Sequence, residues 1–305
     1  MLTGILAGLT AGALWGLVFV APQMVGGLSA VDLTAGRFLS YGALSLVMML
    51  LMRQSAWPNR QQALAAVGLS FLGFTGYYLL LVLAIREAGT EVPSLIIGTI
   101  PVWMMLLGKP VGLRWTALLP GLAMTVLGLA LMMNATLGAT STSTSTATSQ
   151  LSVGAGFWRG VAFALASMAL WTAFGLFNAA WLKRHPEISA AMWANWLGVA
   201  TGIGALVLWL AGGTDLNVLE AHPQRVRAVI LMVATGIGSA WLATVLWNVA
   251  SQRLSTSLCG QLIVSETIFA LVYSFLWKGH WPSALQMAAC ILFAAGILAS
   301  IRAHR

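Results

Sequence analysis

The chain has 305 residues, 59% hydrophobic and only 7% charged, with seven acidic residues and a formal net charge of +8. So few polar side chains cannot cover a globule in water, so most of the surface must meet lipid. The basic excess then belongs to loops at a membrane face rather than to a nucleic-acid site, and without a P-loop or other nucleotide or hydrolase motif the chain is not expected to pump with ATP.

Charged or Pro/Gly-rich breaks divide the chain into ten apolar stretches, each long enough for about 20 residues of spanning helix. The first, 2–21, lacks the basic leader of a signal peptide, since the first Lys or Arg is Arg37, and it is expected to stay as a helix. Gly4, Gly8, Gly12 and Gly16 form a four-residue ladder along it, which reads as close helix packing first and as a sliding hinge second. Trp15 lies inside the same stretch. The second, 32–52, opens with "AGRF" (35–38), which places Arg37 in its first turns.

The third stretch, 61–85, carries Tyr77 and Tyr78 in "GYYLLLVLAI". The fourth, 90–108, carries Trp103 and also Pro101, which must free a backbone carbonyl and bend the helix. After the fifth, 115–133, comes "GATSTSTSTATSQLSVGAG" (138–156), polar and uncharged, expected to be a flexible extracytoplasmic linker. It separates a first five-helix repeat (1–137) from a second (157–305).

The sixth stretch, 157–181, contains Trp171 and the seventh, 189–211, Asn195. The eighth, 226–252, holds Trp241, Trp247 and Asn248. The ninth, 255–277, holds Gln261, Ser265 and Glu266, the only acidic residue deep inside a span. The tenth is 283–301. Cys259 and Cys290 both fall in apolar runs and read as small core residues rather than a disulfide, and no histidine pairs with another at metal-ligand spacing, so no metal or other cofactor is expected. Seven more tryptophans, Trp57, Trp115, Trp158, Trp181, Trp209, Trp277 and Trp281, fall near span ends and suit a membrane-interface belt.

"ALWG" (13–16) returns as "ALWT" (169–172), and "EAGTEVPSLIIGTIPV" (87–102) parallels "RLSTSLCGQLIVSETI" (253–268). An odd number of spans per half makes the second half enter from the opposite face, so the fold class expected is all-α integral membrane, ten transmembrane helices as two inverted five-helix repeats. With the N-terminus cytoplasmic, nine Lys/Arg fall inside and six outside, and five of the seven acidic residues fall outside. Both termini are therefore placed in the cytoplasm.

On "ALWG", "AGRF" and "IPVW" (100–103), with a degraded second copy after the linker, the chain resembles the drug/metabolite transporter superfamily, EamA-type, and within it most resembles the YddG-type amino acid exporters. The resemblance implies a multi-pass inner (plasma) membrane carrier whose halves rock around a midplane cavity lined by spans one, three, four, six, eight and nine. The candidate cavity residues are Trp15, Tyr77, Tyr78, Trp103, Trp171, Trp241, Asn248, Gln261 and Glu266, with the glycine ladder and Pro101 for packing and bending.

Trp15 is expected toward the outer half of the membrane and Trp171 toward the inner half, as two gates would require. Glu266 reads equally as a proton or substrate-amine acceptor and as a hydrogen-bonded structural carboxyl. With no Lys or Arg deep in a span, a site holding a single carboxyl fits zwitterions or organic cations better than phosphorylated sugars. The expected function is export of small metabolites, amino acids first and organic cations or drugs as the alternative. The partners are that substrate, the lipid bilayer and a candidate coupling proton, with no nucleic acid. A membrane enzyme would need clustered acids, histidines or a nucleophile at the surface, which the loops lack.

Overall fold

Runs of about 20 apolar residues leave the backbone one way to satisfy its own polar groups in lipid, the α-helix. The computed structural model describes residues 1–51, 57–88, 91–143, 155–279 and 281–304, and among them it is helical with no strand. Among the described residues eight helices are long and apolar enough to cross a membrane: α2 (Ala30–Leu51), α3 (Arg60–Ala88), α5 (Trp115–Ala135), α6 (Gly156–Arg184), α7 (Ala190–Gly212), α8 (Arg225–Arg253), α9 (Thr256–Trp277) and α10 (Ala284–Ala303). Two shorter apolar helices, α1 (Leu2–Gly16) and α4 (Val92–Leu107), correspond to the first and fourth stretches.

Their shortness has local causes. The α-helical ladder of α1 tightens into a 3₁₀ turn over Leu17–Phe19 and resumes over Ala21–Met24. In α4 the ladder breaks at Gly98 and Thr99. Pro101 has no N–H to give the Ile97 carbonyl, and the Thr99 hydroxyl donates to the Ile96 carbonyl at 2.7 Å.

Helix starts are set by short polar side chains. Asn59 and Gln62 exchange hydrogen bonds as a capping box ahead of α3, and Ser283 with Gln286 does the same ahead of α10. Ser189 and Ser255 cap α7 and α9. The helix containing α5 continues to Ser143, so the tract expected to be flexible from residue 138 begins as helix. Residues 144–154 of that tract lie outside the described residues.

The packing has a pattern that survives exchange of the two halves. Helices α2 and α7, α4 and α9, and α5 and α10 pack as pairs, each against the helix five places on. The α3–α6 contact is matched by α8–α1, and α1–α9 by α6–α4. In both α3 and α8 the ladder loosens to π geometry, over Phe71–Thr75 and Gly236–Leu242, at the same number of residues after Arg60 and Arg225.

Glycines set the closest approaches. On α1 the ladder faces α9: a Cβ on Gly8 would meet Leu262, and one on Gly12 would fall 2.2 Å from Ser265 Oγ and 3.2 Å from the Glu266 amide nitrogen. Between α2 and α7, Gly42 and Gly202 meet backbone to backbone, with a Gly42 Cβ only 2.7 Å from the Gly202 Cα. Small residues let polar backbones approach where lipid supplies no hydrophobic drive.

Candidate functional site

Indole rings are too large to be buried singly without neighbours to fill the space around them. Trp15 of α1, Trp171 of α6 and Trp247 of α8 solve this together. Their centroids lie 6.3 Å (Trp15–Trp171), 5.4 Å (Trp15–Trp247) and 6.2 Å (Trp171–Trp247) apart. The two repeat-related tryptophans thus meet in one cluster, where two gate layers at separate depths were expected.

From Trp171 the rings continue through Phe174 to Phe74 of α3, at 6.0 and 5.5 Å, and on to Phe38 of α2 and Tyr78 at 5.8 and 6.4 Å. An aromatic wall therefore crosses five helices of both halves. Phe38, Phe74 and Phe174 are members that the sequence reading did not single out. Their signal was helical spacing, since Phe174 follows Trp171 by one turn and Phe74 precedes Tyr77 and Tyr78 by one.

Three side chains of this bundle carry polar atoms that make no hydrogen bond or ion pair among the described residues. The Glu266 carboxyl is half-buried and takes part in no hydrogen bond or ion pair among the described residues. The Tyr77 hydroxyl is likewise unbonded, although the Tyr77 carbonyl accepts the Ser167 hydroxyl at 2.8 Å. Arg37 turns its guanidinium inward from α2, with its carbon 4.6 Å from the Phe38 ring centre and its Nε buried and unpaired. Each of the three lies within electrostatic reach of the other two. Beside Arg37 a small cleft opens, lined by Val18, Thr34, Met232 and Thr235.

Arg37 corrects the expectation of a site with a single carboxyl. Its backbone is near the start of α2, but a long side chain carries charge well away from its Cα.

Other expected cavity residues have structural partners. Gln261 is fully buried, donating to Thr125 Oγ1 at 2.8 Å and accepting from Ser300 Oγ at 3.1 Å, so it ties α9 to α5 and α10. Asn248, also fully buried, accepts from Asn178 Nδ2 at 3.0 Å and donates to the Ala190 carbonyl, while Trp193 Nε1 donates to Asn178 at 2.7 Å. Both residues sit in closed networks away from the unpartnered trio, because a buried amide in lipid finds the nearest helix. Trp103 is 42% exposed and shares no ring contact with the cluster, its neighbours Met104 and Met105 taking the buried face instead.

Trp241 half-enters, donating to Asn195 Oδ1 at 2.8 Å beside the Phe38–Tyr41 core. Tyr78 donates to the Ala30 carbonyl and flanks Arg37. Cys259 and Cys290 are free thiols, and no group of three or more metal-ligating side chains occurs among the described residues.

An all-helical membrane bundle, enclosing an aromatic wall and unpartnered polar groups, belongs to a recognised class of carriers. The profile of the EamA-like transporter family matches residues 2–134 and 158–302, and the chain belongs to that family, a multi-pass membrane transporter of drug/metabolite type built from two repeats. It is 34% identical to the inner membrane protein YtfF of Escherichia coli (strain K12), over 99% of this chain and 96% of that protein. A crystal structure of a protein 19% identical superposes with a TM-score of 0.76 over 99% of this chain and 98% of that one, which supports the same fold.

Proposed function

We propose that this chain is a secondary transporter of the inner membrane that exports small metabolites, namely amino acids, aromatic or other neutral ones, by alternating access around a central cavity. The observation that carries this reading is the Glu266 carboxyl, set without a protein partner among the described residues, on the helix that packs against α1 and its Trp15. Polar groups that lipid will not tolerate and protein does not satisfy need water or a ligand. An indole-lined site with few polar anchors suits a small molecule with an apolar body and a polar end.

In this reading the ten apolar helices all cross, and the two halves have opposite topology with both termini cytoplasmic. The exchange-invariant packing and the paired π turns support that arrangement, since equal halves around an axis in the membrane plane must contact each other in this way. The alternative is an organic-cation or drug exporter, for which a carboxyl near indole faces is also suited. The Arg37 guanidinium, within electrostatic reach of Glu266, disfavours a bare cation.

Counterflow in proteoliposomes tests the reading, with labelled phenylalanine inside and neutral amino acids, an organic cation and a nucleotide sugar as external competitors. Exchange of phenylalanine competed by neutral amino acids supports it. Exchange of the organic cation alone replaces it with the drug reading. Repeating the exchange with an imposed pH gradient asks whether Glu266 also couples a proton, the expected result being faster net export when protons flow inward.

A further inference from the structure

We propose that the groove between α3 and α6, at the Arg184 end, is a binding site for one anionic phospholipid, with Arg184 on the headgroup phosphate and the upper part of an acyl chain lying in the groove. The proposal does not depend on which substrate is carried. It starts from how the two helices meet. They pack closely from the π turn of α3 onward and part over Arg60–Ser70, toward the end of α6. The opening is a groove of about 610 Å³, with Gly68, Phe71, Leu72, Phe177, Trp181 and Arg184 among its walls.

The walls grade from apolar to charged. Phe71 and Phe177, both exposed, stand at the end farther from Arg184. A Cβ on Gly68 would meet nothing within 4 Å, so the missing side chain leaves room for methylenes. Leu69, Leu182 and Trp193 belong to one buried cluster, which gives the groove a solid floor. Trp181 is a stiff wall, its ring centre 4.2 Å from that of His185 and 5.5 Å from that of Trp193. From Phe177 to Arg184 the helix rises about 10 Å, roughly a third of the hydrocarbon thickness, which suits part of one acyl chain.

The charged end decides which lipid. Helix α6 ends at Arg184, so that end of the groove lies at a membrane face in either orientation, the depth that an indole such as Trp181 also favours. Arg184 and its neighbour Lys183 are exposed and enter no ion pair among the described residues. The nearest acid in sequence, Glu187, is taken by His185 at 3.0 Å. A cation in the last turn of a helix is favourable by itself, but Arg184 also lines the groove, which sets its donors beside whatever fills it. A guanidinium offers paired N–H groups to phosphate oxygens, and basic pockets between spans select anionic headgroups. Phosphatidylcholine would set its own cation against Arg184.

The test places the protein in phosphatidylcholine vesicles doped with a photoactivatable phosphatidylglycerol, or with the matching phosphatidylcholine, each carrying its reactive group on the acyl chain. Mass spectrometry of peptides reads the labelling at residues 65–72 and 177–184. Phosphatidylglycerol should label them about fivefold or more above phosphatidylcholine, the advantage that one basic side chain gives near an anionic headgroup. Arg184→Gln should cut that preference by about half or more, and Arg184→Lys should keep it. Gly68→Leu, filling space that the protein leaves empty, should lower phosphatidylglycerol labelling of 177–184 while the thermal midpoint of the purified protein stays unchanged. Equal labelling by the two lipids, or labelling by neither, overturns the proposal and leaves an ordinary lipid shell. So does a full preference in Arg184→Gln, or unchanged labelling in Gly68→Leu.

Discussion

Arg37 and Gln261 show why chemistry cannot be assigned from residue type alone. Arg37 stands near a helix start, where a cation would ordinarily reach the interface, yet its guanidinium turns inward against Phe38. Gln261 looks like a ligand group in mid-span, yet Thr125 and Ser300 use both ends of its amide. The two readings make different predictions. Gln261→Ala should lower the thermal midpoint of the detergent-solubilised protein, with a cost of about 1 kcal/mol for two interhelical bonds. The KM of the folded fraction in counterflow should stay unchanged. A raised KM with an unchanged midpoint would return Gln261 to the substrate site. The polar residues of the bundle could be picked out in the sequence, but which of them lacked partners could not, because partners come from other helices.

At the scale of the helix, the glycines separate into those in contact and those in open space. Gly42 touches the Gly202 backbone, which has no side chain to move aside, whereas a Cβ on Gly68 would meet nothing within 4 Å. Gly42→Ala should therefore destabilise by about 1–3 kcal/mol through overpacking of α2 on α7. Gly68→Ala should be neutral or slightly stabilising through helix propensity. Thermal midpoints of the two variants side by side check this, and equal values would mean that α2 and α7 do not meet there. The α1 ladder was visible as a four-residue spacing. The Gly42–Gly202 contact was not, because Gly42 stands in no such ladder, although Gly198 and Gly202 repeat at that spacing, and the two contact partners lie far apart in the chain. The π turns of α3 and α8 were hidden for a related reason, since no residue type marks a loosened ladder as Pro101 marks a broken one.

At the scale of the whole molecule, an ion pair among the described residues bridges the halves at the end of α3 and the start of α6. Arg159 Nη2 donates to both oxygens of Glu87 at 2.7 and 2.8 Å, with the arginine side chain 64% exposed. A pair so open to solvent contributes at most about 1 kcal/mol to folding, yet it lies between the halves that the proposed alternating access would move. Arg159→Gln should leave the thermal midpoint nearly unchanged while raising the rate at which an external thiol reagent labels a Tyr77→Cys variant. An unchanged labelling rate would show that the pair holds no gate. Apolar run length, the mid-chain polar tract, the half-chain echoes and the bias of Lys and Arg were enough for sequence to establish a membrane-spanning helical bundle in two repeats, because lipid imposes those features on each helix by itself. The gathering of Trp15, Trp171 and Trp247, and the turn of the Arg37 guanidinium against Phe38, were decided only by tertiary structure, because a helix's own sequence specifies which of its faces are polar or aromatic but not which face of another helix will meet them.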